Sequence, residues 1–108
     1  MVTSSSYVVF KIITKSSLPQ YTQEKPNQQY VVYRRFSDFE YFLKALQETP
    51  EYNIINFPPL PEKRMYGNTD DQFIEKRRVE LEGFLRVLVQ TDNRIKNDKK
   101  LYAFLTFE

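Results

Sequence analysis

The sequence predicts an α+β fold, with a small antiparallel β-sheet packed on a helical subdomain and a proline-rich segment crossing between them. Three features carry this expectation. Two short runs near the N-terminus are rich in β-branched and aromatic residues. Apolar stripes at helical spacing fill most of the remainder. Between the stripes lies a cluster of prolines that suits neither helix nor central strand.

Tyr7–Thr14 (YVVFKIIT) and Tyr30–Arg35 (YVVYRR) are bounded by polar, proline-containing stretches and read as two antiparallel strands. The connection over 15–29 holds Ser16-Ser17, Pro19 and Pro26-Asn27, too long and irregular for a tight hairpin, and is expected to be a mobile loop. Ser37 and Glu40 have capping-box spacing, so a helix should start there. Phe39, Phe42, Leu43 and Leu46 form its apolar stripe, and Thr49-Pro50 ends it. Phe57–Lys63 (FPPLPEK) favours polyproline II and makes a stiff crossing, followed by a turn at Arg64-Met65-Tyr66-Gly67. Thr69 and Gln72 offer a second capping box, after which Phe73, Ile74, Leu81, Phe84, Leu85 and Leu88 recur at helical spacing through Gln90. Asp98 should cap a last helix that buries Leu101, Tyr102, Phe104 and Leu105.

At 108 residues the chain fits a single domain, 1–108, and its 41% hydrophobic and 28% charged residues are those of a globular protein. It has no cysteine and no histidine. That removes disulfides, the usual zinc ligands and the Ser-His and Cys-His nucleophile pairs, and with them most hydrolytic enzymes. We therefore expect no enzyme, no metal and no cofactor. Lack of cysteine suits a reducing, cytoplasmic setting. No apolar stretch reaches the ~20 residues of a membrane span, and Met1–Ser6 does not read as a signal peptide. The net charge of +2 supplies no broad field for nucleic acid, and no basic stripe with interleaved aromatics is present.

The cations instead gather at Arg34-Arg35, Lys63-Arg64 and Lys76-Arg77-Arg78. Arg77 lies four residues after Phe73 and four before Leu81, in line with the apolar stripe, where a charge is unexpected. It must snorkel, pair with an acid, or point into a polar pocket that receives an anion. If it points into such a pocket, Arg77→Met should hold or raise stability. Arg35 closes a strand just before a helix N-terminus, where anions bind well and where an arginine fork can grip a phosphate bidentately. Strand alternation puts Arg34 on the opposite face. Pro58-Pro59-Leu60-Pro61 contains a PxxP spacing, a weak signal for an SH3 or WW ligand and a better one for a rigid spacer.

Taken in order, YRRFSDF, PPLPEK and FIEKRRVELEGFL form a specific combination that covers nearly the whole chain. It resembles the phox-homology (PX) domain of the sorting nexin family. The resemblance implies three antiparallel strands on a helical subdomain and a phosphoinositide head group held between them. It implies that Arg35 binds the 3-phosphate, Phe36 stacks on the inositol ring, Lys63 meets the 1-phosphate and Arg77 bonds the 4- and 5-hydroxyls. The lipid expected is phosphatidylinositol 3-phosphate, on endosomal membranes, with the domain bringing its parent protein there for membrane trafficking. Arg64, Met65 and Tyr66, an apolar pair beside basic residues, should insert into the bilayer. Two departures stand out. The family's strand before Tyr7 has no evident counterpart, since Met1–Ser6 is short and polar, and Phe36 is Tyr in many members. A protein-interaction module with a vestigial lipid pocket is the rival reading.

Overall fold

The computed structural model describes residues 2–3 (backbone), 8–23, 29–63 and 70–108. Strands β1 (Val2–Thr3), β2 (Val8–Thr14) and β3 (Tyr30–Arg35) form one antiparallel sheet in that spatial order. Helices α1 (Pro19–Thr22), α2 (Phe36–Gln47), α3 (Asp71–Thr91), α4 (Asn93–Lys96) and α5 (Lys99–Thr106) make the second layer, with a 3₁₀ turn at Pro50–Tyr52. The expected α+β architecture is present.

The register of β2 on β3 runs from Val9↔Arg35 to Thr14↔Tyr30. Alternation then turns Phe10 and Ile12, with Tyr30 and Val32 of β3, toward the helices, while Lys11, Ile13, Val31 and Tyr33 face outward. Phe39 and Leu46 of α2, Ile74 and Leu88 of α3 and Leu101 of α5 complete a single core. Its centre is aromatic. Phe42 stacks on Phe104 with ring centroids 4.3 Å apart, and Phe39 meets the same ring edge-on at 5.0 Å.

The structure corrects the sequence reading in several local places. Val2–Thr3 does supply a strand, pairing Val2↔Val9 and Thr3↔Val8, because two β-branched residues suffice for two rungs of a ladder. The described part of the 15–29 connection is anchored: Tyr21 in α1 is buried against Tyr30 and Tyr102, and its carbonyl accepts the Tyr30 hydroxyl at 2.8 Å. α2 starts one residue before Ser37, and the Asp38 carboxylate, not Glu40, reaches back to accept the Arg35 N–H at 2.7 Å. Asp70 caps α3 through the N–H groups of Gln72 and Phe73, whereas Thr69 lies outside the described residues. Asp98 caps α5 as expected, and its second oxygen also accepts the Tyr52 hydroxyl at 2.6 Å.

Phe57–Lys63 forms neither helix nor strand, and its Phe57 and Leu60 pack on the core. It delivers the chain from the 3₁₀ turn, across the β3–α2 junction, toward the start of α3. No helix is long and apolar enough to cross a membrane among the described residues.

Candidate functional site

Arg77 is the one charged residue among the buried side chains described, at 6% exposure. Ile74, Leu81, Phe84 and Leu88 hold α3 against the core, so the helix rotation they impose carries Arg77 inward with them. Its guanidinium carbon lies 3.9 Å from the Phe36 ring centroid and 4.6 Å from that of Phe73. One of its terminal nitrogens also donates to the Glu62 carbonyl. Two ring faces and a backbone oxygen thus accommodate a charge in the apolar stripe, each being electronegative toward a cation.

These contacts join three elements. Phe36 opens α2 immediately after Arg35, the last residue of β3. Arg35 is exposed and keeps extended geometry, φ −78° and ψ 164°, as the residue flanking the helix. The bond to Glu62 fixes the end of the proline crossing, which places exposed Lys63 one residue further on. Of the residues singled out in the sequence, Phe36 and Arg77 therefore touch directly. Arg35 and Lys63 are brought to the same junction through their chain neighbours. Arg64, Met65 and Tyr66 lie outside the described residues.

The basic cluster on α3 divides by function. Arg78 grips Glu75 with two hydrogen bonds, at 2.9 and 2.7 Å, and this pairing holds the Glu75 carboxyl below its ordinary pKa range. Lys76 is exposed. Only Arg77 faces the junction. The sequence reading missed Phe73 as part of the site, treating it as core, although its position one helical turn before Arg77 was the available signal. It placed Arg34 on the face opposite Arg35 and gave it no partner. Arg34 in fact turns inward and hydrogen-bonds the carbonyls of Phe104 at 2.9 Å and Ala103 at 3.3 Å, and that of Phe107, holding the end of α5 against β3.

Chemically, the junction offers an aromatic face backed by a buried guanidinium, with a second arginine and a lysine at its edges. Such a set can bind a multiply charged, ring-shaped anion. Among the described residues, no group of histidine, cysteine or acidic side chains could hold a metal ion.

A PX domain family model matches residues 22–108. The chain belongs to the PX domain family. Sorting nexin-1 of Rattus norvegicus is 36% identical over 114 residues, an alignment covering 96% of this chain and 21% of that protein. Sorting nexin-3 of Mycosarcoma maydis is 36% identical over 99 residues, covering 92% of this chain and 24% of the relative. Vacuolar protein sorting-associated protein 5 of Saccharomyces cerevisiae is 33% identical over 103 residues, with 95% and 14% covered. This PX domain thus spans about a quarter or less of the length of these relatives. Among solved structures, a designed CISK-PX domain superposes with a TM-score of 0.73 at 32% identity, over 94% of this chain and 84% of the other. PX domains of the sorting nexin type are non-enzymatic modules that generally bind phosphoinositides and serve endosomal sorting.

Proposed function

We propose that this PX domain binds phosphatidylinositol 3-phosphate and thereby docks its parent protein on the cytosolic face of endosomal membranes for protein transport. Arg35 takes the 3-phosphate, Phe36 packs on the inositol ring, Lys63 meets the 1-phosphate and Arg77 bonds the 4- and 5-hydroxyls. Arg64, Met65 and Tyr66 enter the bilayer beside the bound head group. The observation that carries the reading is the Phe36–Arg77–Glu62 contact, which assembles the strand end, the proline crossing and α3 around one point. A pocket of this kind uses the phosphate charge for affinity and the arginine fork for geometry.

The test is flotation with liposomes carrying each phosphoinositide in turn, with wild-type protein and Arg35→Ala. Loss of a charge-assisted bidentate phosphate contact costs on the order of 2–4 kcal/mol, a weakening of roughly thirtyfold to a thousandfold. Because Arg35 is exposed, the variant should fold normally. Replacing Met65 and Tyr66 by Ser should weaken binding to bilayers while leaving affinity for a soluble inositol phosphate unchanged. Undiminished liposome binding by folded Arg35→Ala would refute the pocket and favour a protein-interaction module. Preference for another phosphoinositide would refute the lipid assignment alone.

A further inference from the structure

Two neighbouring arginines of α3 are held by unlike partners one helical turn earlier. Arg78 meets Glu75, whose carboxylate takes two hydrogen bonds from it. Arg77 meets Phe73, whose ring centroid lies 4.6 Å from the guanidinium carbon. The difference decides what each cation can still do. A carboxylate neutralises a guanidinium and occupies its donors. A ring face attracts the same charge without cancelling it, so the cation can still act on an anion or a hydroxyl.

The placement of Phe73 suits this contact better than it suits the core. Its neighbour Ile74, 2% exposed, is the residue that enters the core. Phe73 is half-buried and is neither one of the core side chains described nor one of those packed on them. The helix start fixes its backbone, since the Asp70 carboxylate accepts the N–H groups of Gln72 and Phe73 at 2.9 and 3.2 Å. Side chains at i and i+4 are neighbours on a helix surface, so this ring is aimed at Arg77 by α3 itself. The second ring on the guanidinium, Phe36, comes from α2 at 3.9 Å.

Resting on the phosphoinositide reading above, we infer that Phe73 is a positioning residue for head-group binding. Its ring, together with that of Phe36, holds the Arg77 guanidinium at the junction before the ligand arrives. An arginine that must be ordered during binding loses rotamer freedom at the expense of affinity, and one ordered beforehand by the protein does not. The π face carries the effect rather than the bulk, because a leucine fills similar space and attracts no cation.

The test is an NMR titration of the ¹⁵N-labelled protein with inositol 1,3-bisphosphate, a probe that leaves the bilayer out. Phe73→Leu should weaken binding about three- to tenfold, and Phe73→Tyr, which keeps the ring, should rescue most of that loss. In an Arg77→Met background, Phe73→Leu should change affinity by less than about twofold, because the side chain it positions is gone. A packing role would persist in that background. Equal binding by wild type and Phe73→Leu overturns the role of Phe73 while head-group binding stands. Matching losses in Phe73→Leu and Phe73→Tyr do the same, as does a full Phe73→Leu effect in the Arg77→Met background. A Phe73→Leu protein that fails to fold also overturns it, by placing the ring in the core. Wild-type protein that takes up no inositol 1,3-bisphosphate refutes the binding reading, and the role of Phe73 falls with it.

Discussion

Arg34 and Arg35 are adjacent in sequence and separable in function, and Arg34→Ala tests the separation. The Arg34 side chain is only 15% exposed and donates to backbone oxygens at the C-terminal end of α5: Phe104 at 2.9 Å, Ala103 at 3.3 Å, which also accepts the Phe107 N–H, and Phe107. It also lies 5.3 Å from the Phe104 ring centroid, while its pair with exposed Glu108, at 3.9 Å, adds little. A hydrogen bond from a charged donor contributes about 1.5–3 kcal/mol, but bonds sharing one side chain are not additive, and water can reach part of this site once the guanidinium is gone. A net loss of roughly 2–3 kcal/mol follows. At about 4–8 °C per kcal/mol for a domain this small, Tm should fall by roughly 10–20 °C. Arg34→Lys should recover less than half of that, since a point charge cannot span diverging carbonyls. Thermal melts followed by circular dichroism measure the fall, and phosphoinositide binding measured well below Tm should stay near wild type. A drop under about 3 °C, or an Arg34→Ala protein that melts normally but no longer binds lipid, would show that Arg34 belongs to the pocket and not to the joint between β3 and α5.

Arg77→Met should lower stability by roughly 1–2 kcal/mol, reversing the sign expected from sequence: the Glu62 bond and two ring contacts outweigh the relief of a desolvated charge and the thioether's own attraction to aromatic rings. Titration with a soluble inositol phosphate should show a loss of at least about tenfold, and a variant that binds normally removes Arg77 from the site. Tyr52→Phe addresses pH. Burial, then the hydrogen bond to Asp98, push the Tyr52 phenol up to about 12, so the protonated form is favoured in the fold. Its contribution is therefore complete below the unfolded value near ~10 and lost as pH climbs from there toward about 12. Denaturant melts at pH 7 should show the variant about 1–2 kcal/mol less stable, with the gap closing by pH 12; a gap independent of pH would mean the Asp98 bond is not the cause. Burial raises Tyr21 to about 12 as well, so part of the alkaline loss should persist in the variant.

How much of this was legible in the sequence follows from what kind of partner each residue has. β2, β3, α2, α3 and α5 announce themselves because many residues repeat one choice, inward apolar and outward polar, at a period of 2 or 3.6. α1 and α4 are four residues long and rest on one buried side chain each, Tyr21 and Ile95, which is too little for any period to show. The caps slipped by a residue where several capping-competent residues stand together, as at Ser37-Asp38 and Thr69-Asp70-Asp71. Arg77 was conspicuous because it breaks an apolar stripe. Its resolution was hidden, since Phe36 and Glu62 lie far away in sequence and the Glu62 group that matters is a backbone carbonyl, which every residue possesses. Arg34 shows the same limit more sharply. The acceptors described for it are mainly main-chain oxygens, so nothing in the identities of Ala103, Phe104 or Phe107 points back to it. It also sits where the inward face of β3 runs out, so no stripe is broken to draw attention to it. An arginine partnered by side chains leaves a pattern in sequence, and one partnered by backbone does not. Of two neighbouring arginines, composition and spacing therefore single out the exposed one as the candidate for binding, while the structural work of the other becomes visible only in the fold.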